Sequence, residues 1–155
     1  MRETIIADAS CFIILSNIGE LEILQKTYGT VVTTSIILGD FGEPAPEWVI
    51  VRDPTSQNNI SSIKNLGKGE TSASAIALAM EIVDSVVILD DQQARNVALQ
   101  IGLTVTGTLA VFVRAKANGV IPAIKPLIEK MRRTNFRVSA KVELEALQKA
   151  GEDQA

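Results

Sequence analysis

The feature that most restricts this chain is a series of short, largely β-branched apolar runs, each followed by residues patterned for a helix. The runs are Thr4–Ala7 (TIIA), Thr30–Thr34 (TVVTT), Trp48–Val51, Val86–Leu89 (VVIL) and Leu103–Thr106. Uninterrupted apolar runs of this length suit strands buried on both faces. Strand, helix and strand in alternation imply parallel pairing, because a parallel connection must cross over the sheet. The expected class is therefore α/β, a mainly parallel central sheet with helices on both faces. Ligands of such sheets bind at the carboxyl ends of the strands.

The helices read as follows. Ser10 is placed to cap a helix running through Ile18 and broken at Gly19, and Leu21 to Tyr28 forms a second, ended by Gly29. Ser35 is a candidate cap for Ile36 to about Asp40. Gly42 to Pro46 is a loop, and Pro54 to Asn59 reads as irregular. Ile60 to Leu66 is a weak helix before the break Gly67-Lys68-Gly69. In Glu70 to Ile82, Ala73, Ile76, Ala77 and Met80 share one face. Gln92–Ile101, Gly107–Ala117, Ile124–Thr134 and Ser139–Ala150 complete the set. One domain over residues 1–150 is expected, with 151–155 as a frayed tail.

Composition removes several chemistries. The chain of 155 residues contains no histidine and one cysteine, Cys11. Histidine-dependent nucleophile pairs are excluded, as are imidazole and thiolate metal clusters. No apolar run is long enough to span a bilayer, and residues 1–20 read as no secretory signal, so a cytoplasmic protein is expected. Catalysis here would rest on carboxylates, hydroxyls, amines or a hard metal ion.

Acids fall where the sheet would gather them. Asp8 ends the first run and Asp90-Asp91 ends the fourth, 82 positions later. In a parallel sheet these ends share an edge. Glu70 opens a helix and Asp40 lies near the end of one. Four carboxylates in one cleft repel each other unless a cation joins them, and oxygen-only ligands suit Mg²⁺ or Mn²⁺. Each acid also has an ordinary explanation. Asp after a strand caps the next helix, and Glu in a first turn suits the helix dipole. Asp91 is the natural cap of its pair, which leaves Asp90 without a structural duty. The case rests on convergence.

At this point the sequence resembles the PIN-domain nucleases, in a branch similar to the VapC-like toxins. The matching blocks are Ile6-Ala7-Asp8-Ala9-Ser10, Gly69-Glu70-Thr71 with Ala75 to Ala79, Ile88 to Arg95, Val105 to Leu109, and Arg114-Ala115-Lys116. They span nearly the whole chain. The resemblance implies a three-layer α/β/α sandwich and a Mg²⁺- or Mn²⁺-dependent endoribonuclease site. It assigns Asp8, Asp40, Glu70 and Asp90 to catalysis, and Asp8, Glu70 and Asp90 or Asp91 to the metal. Two departures stand out. Asp40, beside Gly39, occupies the place of a longer Glu. The interval from Glu70 to Asp90 is about two residues longer than is usual for the family, with Ser72-Ala73-Ser74 holding the extra residues, which slightly displaces Glu70. Ser10 and Thr106 are candidate supports of the acids, with Ser10 equally a cap, and Thr108 reads as a helix cap. Arg95 is a candidate RNA contact or an i,i+4 partner of Asp91.

The net charge of −3 conceals segregation. The first 110 residues hold 13 acids and 6 bases, whereas Arg114 to Lys141 carry 8 bases and a single acid, Glu129. A basic region beside a metal site suits an RNA backbone, with Arg114 and Lys116 as candidate contacts; a solvated helix face explains it equally. Phe112 and Phe136 read as core, so base stacking is not supported. The resemblance further implies a small antitoxin partner and a homodimer.

Rival chemistries fit less well. A receiver domain needs its acidic pair after the first strand, and a haloacid-dehalogenase-type phosphatase needs a second Asp at position 10. Gly67 to Thr71 lacks phosphate-loop spacing. The alternative from a different class is a PIN-like fold that has lost catalysis and binds nucleic acid or protein.

Overall fold

The computed structural model describes residues 3–66 and 69–153. The break expected at Gly67-Lys68 and the last two residues of the expected tail lie outside them. The strands are β1 (Thr4–Ala7), β2 (Val31–Thr33), β3 (Val49–Val51), β4 (Ser85–Ile88) and β5 (Thr104–Thr106). The helices are α1 (Ala9–Asn17), α2 (Glu22–Tyr28), α3 (Ser35–Phe41), α4 (Gln57–Lys64), α5 (Glu70–Glu81), α6 (Gln92–Ile101), α7 (Thr108–Ala117), α8 (Lys125–Arg132) and α9 (Ala140–Lys149).

The five strands form one sheet in the order β3-β2-β1-β4-β5, and every neighbouring pair is parallel. Helices pack in two sets, α1, α3, α4 and α5 against one another and α2, α7 and α9 likewise. The result is the three-layer α/β/α sandwich. Both faces of β1 and β4 are covered: Ile6, Ala7, Val87 and Ile88 are wholly buried. With few aromatics, aliphatic packing fills the core, and the stacked pair Phe12–Phe41 (centroids 5.4 Å apart) is its one aromatic contact among the described residues.

Strand order positions the site. The chain leaves β1 toward β2 and β3, then returns to add β4 and β5 on β1's other side. The winding reverses at the carboxyl ends of β1 and β4, the place where ligands of such sheets bind. Ala7 pairs with Ile88 in register, so Asp8 and the acids after Leu89 emerge at the same level.

Three expected caps are corrected. Asp8, not Ser10, caps α1, its Oδ1 accepting from Ala9 N at 2.8 Å. Thr34, not Ser35, caps α3, because its Oγ1 reaches Ile37 N at 3.1 Å while Ser35 donates to Asp53. Gly107 is the α7 cap residue and Thr108 the first helical one. The region read as irregular around residue 57 begins α4, capped by Ser56. No helix among the described residues is long and apolar enough to cross a membrane.

Candidate active site

Asp8 follows β1 directly and is only 5% exposed. Its position is fixed from beneath. Thr33 Oγ1, wholly buried at the end of β2, donates to the carbonyl of Ala7 at 2.9 Å, and Asp8 N donates to the carbonyl of Ile88. Of its carboxylate oxygens, Oδ1 caps α1 and Oδ2 accepts from Ser72 Oγ at 3.2 Å. Burial pushes the Asp8 carboxyl above its ordinary value; hydrogen bonds from Ala9 and Ser72 oppose this, and the negative charges of Asp90 and Asp40 add to it.

Asp90 is held by α7 and α1. Its Oδ1 accepts from Thr108 N at 2.8 Å, and its Oδ2 from Thr108 Oγ1 at 2.6 Å and Ser10 Oγ at 3.3 Å. Thr108 is thus no cap; it grips Asp90 with both its donors. Gly107 permits this approach, since a Cβ there would lie 3.1 Å from both Asp90 Oδ1 and Arg95 Nη1. Asp91 caps α6 through Ala94 N at 2.8 Å. Of the two acids, Asp90 is the one turned to Asp8. Asp40 lies on the exposed face of α3, which continues unbroken through Gly39. The buried hydroxyl pair Thr34–Ser74, 2.8 Å apart, ties the start of α3 to α5.

Glu70 does not join the cluster. It is exposed, and its carboxylate lies 3.7 Å from Lys64 Nζ. The α5 residue that reaches Asp8 is Ser72, two positions later. The long interval between Glu70 and Asp90 carries this signal in the sequence: counted back from the Ala-rich core of α5, the position facing the strand ends falls on a serine. Thr106 ends β5, where its carbonyl accepts from Leu89 N at 2.9 Å. Arg95 is half-buried and donates from Nη1 to the carbonyl of Leu89 at 2.9 Å.

The basic final third does not form one surface at the site. Lys116 Nζ pairs with Glu152 at 3.0 Å, Lys130 pairs with Glu20, and Arg132 with Glu143. Arg114 lines a cavity with Glu3, Ile5 and Tyr28, at the amino end of β1 and away from the acids. Lys116 and Arg114 therefore lie outside the site.

The donors suit a hard divalent ion in kind: they are oxygens only, and burial destabilises the Asp8 carboxyl as an anion. Among the described residues no three acidic, cysteine or histidine side chains already stand at common ligating distance. Asp8 and Asp90 are the residues that would hold such an ion, while Glu70 faces Lys64.

Fold and site together define an α/β/α domain with Asp8 and Asp90 at the carboxyl ends of adjacent strands, its topological switch point. The chain belongs to the PIN-domain family: the family model described as PIN domain matches residues 4–152. PIN domains are generally nucleases that use divalent metal ions, so nucleic-acid hydrolysis is the class of activity the membership indicates. No curated protein matches the chain.

Proposed function

We propose that the protein is a Mg²⁺- or Mn²⁺-dependent endoribonuclease of the VapC-like kind, acting in the cytoplasm as the toxin of a toxin–antitoxin pair. What supports the catalytic part is the in-register pairing of β1 with β4, which sets Asp8 and Asp90 at one level of the sheet's carboxyl edge, with Ser10 of α1 donating to Asp90. The antitoxin partner and a homodimer rest on the resemblance.

In this reading Asp8 and Asp90 hold the ion, each already oriented by hydroxyl and amide donors that leave lone pairs open. When bound, the ion lowers the pKa of its water and neutralises charge on the phosphodiester. Asp40, exposed and without a hydrogen bond among the described residues, accepts the proton of the attacking water at its carboxylate. The P–O bond then breaks and the leaving oxygen takes a proton from solvent. Arg95, with donors beyond the one given to Leu89, contacts the phosphate.

The test is cleavage of an RNA oligonucleotide with added Mg²⁺ or Mn²⁺. Cleavage is expected to vanish with Asp8→Asn and with a chelator; cleavage that survives both would overturn the assignment. The absence of Glu70 from the cluster favours a second reading, a PIN domain that binds without cutting. Calorimetry showing no metal uptake by the intact protein would support it.

A further inference from the structure

A groove of about 640 Å³ runs from Asp90 and Gly107 between α6, α7 and the segment from Phe136 to Lys149. Its volume lies within the range of about 300–1,000 Å³ typical of sites that enclose an organic ligand. One wall is apolar: Leu99 on α6, Val113 on α7 and Val142 on α9 face it. Leu99 is 55% and Val142 45% exposed, an apolar surface left open to solvent.

The groove is also cationic. Arg95 stands at its mouth, and Arg137, Lys141 and Lys149 line its length against two acids, Asp90 and Glu145. None of those three bases forms an ion pair among the described residues, unlike Lys116, Lys130 and Arg132. Lys116, Lys130 and Arg132 are thus paired with acids, whereas Arg137, Lys141 and Lys149 line a channel that ends at Asp90.

We propose that this groove carries the RNA strand on one side of the scissile phosphate, as a single strand. The proposal rests on the nuclease reading above. Phosphates would follow Arg137, Lys141 and Lys149, while a base packs on Leu99, Val113 and Val142. An unpaired strand fits this arrangement, because a duplex keeps its base faces stacked and cannot offer one to the apolar wall. The α9 segment is then a substrate-positioning surface.

The test measures fluorescence anisotropy of a labelled single strand of about 12 nucleotides and of its duplex, in chelator to prevent cleavage. The proteins are the wild type, the triple variant Arg137→Ala/Lys141→Ala/Lys149→Ala, and Val142→Glu. Each phosphate contact to a single strand contributes about 0.7 to the salt slope, so the triple variant should lose about 2 units of slope and about tenfold in affinity. Val142→Glu should weaken binding with circular dichroism unchanged, and Lys26→Ala, on α2 beside the cavity at the amino end of β1, should not. Wild-type affinity and slope in the triple variant, with cleavage intact, would refute the groove, spare the nuclease and leave the channel to a protein segment. Equal affinity for the duplex would also refute it. A wild type that binds the single strand, loses it in the triple variant and never cleaves would sink the nuclease reading and leave the groove standing.

Discussion

Gly107 shows how one missing side chain maintains the site. Its φ of −131° is open to any residue, so conformational freedom is not the reason for glycine here. The reason is space, since a Cβ would sit 3.1 Å from an Asp90 oxygen and from the Arg95 guanidinium. Asp90 cannot simply retreat, because that same oxygen accepts from Thr108 N. Gly107→Ala is therefore expected to shift Asp90 and lower kcat by about tenfold or more, as sub-ångström misplacement of a catalytic group does. Single-turnover kinetics with an unchanged melting temperature would verify it; a wild-type rate would show that Asp90's position is not critical. The same scale explains what the sequence concealed. The placement of Asp8 and Asp90 at neighbouring strand ends was legible because each directly follows or nearly follows an apolar run. Ser72 and Thr108 were not read as contacts of the acids, because a hydroxyl in a first helical turn looks like an ordinary cap or surface residue until its partner is known.

At the scale of elements, the helix starts were legible and their caps were misread by a residue or two. Asp8 against Ser10 and Thr34 against Ser35 are neighbours with similar capping chemistry, and only the path of the preceding strand chooses between them. Glu70 illustrates the same limit. A first-turn acid suits the helix dipole wherever it points, and the rotation of α5 turns it to Lys64 instead of Asp8. The end expected to fray is held as far as Glu152. Its carboxylate accepts from Lys116 Nζ at 3.0 Å and from the backbone of Ile124 and Lys125, joining α7 and the start of α8 to the chain just after α9. Burial opposes the charge, but these bonds outweigh it and keep the carboxyl below its ordinary 4.5. A depressed folded-state pKa gives stability that is present above 4.5 and lost as pH falls through the folded value. Glu152→Gln should cost about 1 kcal/mol at neutral pH and little at low pH, measured by urea denaturation at several pH values. An equal cost at both ends of the pH range would remove the clasp from the explanation.

For the whole molecule, the site works against stability. Asp8 is raised above 3.8 by burial, so the folded state binds its proton more tightly than the unfolded chain does. Its contribution is therefore unfavourable above the folded value and fades as pH falls toward 3.8. Asp8→Asn removes the charge and retains an oxygen for Ala9 N, so without metal it should melt higher than the wild type near neutrality, with the gap closing in acid. Melting curves in chelator across pH would reveal this, and a lower melting temperature for the variant at pH 7 would contradict it. Metal should reverse the order. At about 100 times its Kd an ion stabilises the folded state by about 2.7 kcal/mol, and Asp8→Asn should forfeit that gain. A wild type whose melting point ignores Mg²⁺ and Mn²⁺ would contradict the proposed site.

What the sequence alone determined is local and periodic: five apolar runs, the helices between them, and the need for parallel pairing. Those follow from side-chain volume and hydrogen-bond geometry within a few residues of each position. What only the tertiary structure decided is long-range. The order β3-β2-β1-β4-β5 sets the end of β1 beside the end of β4, the rotation of α5 brings Ser72 to Asp8, and the packing of α9 on α7 forms the groove that starts at Asp90. These choices depend on which surfaces bury one another across the sheet, and no window of neighbouring residues contains that information.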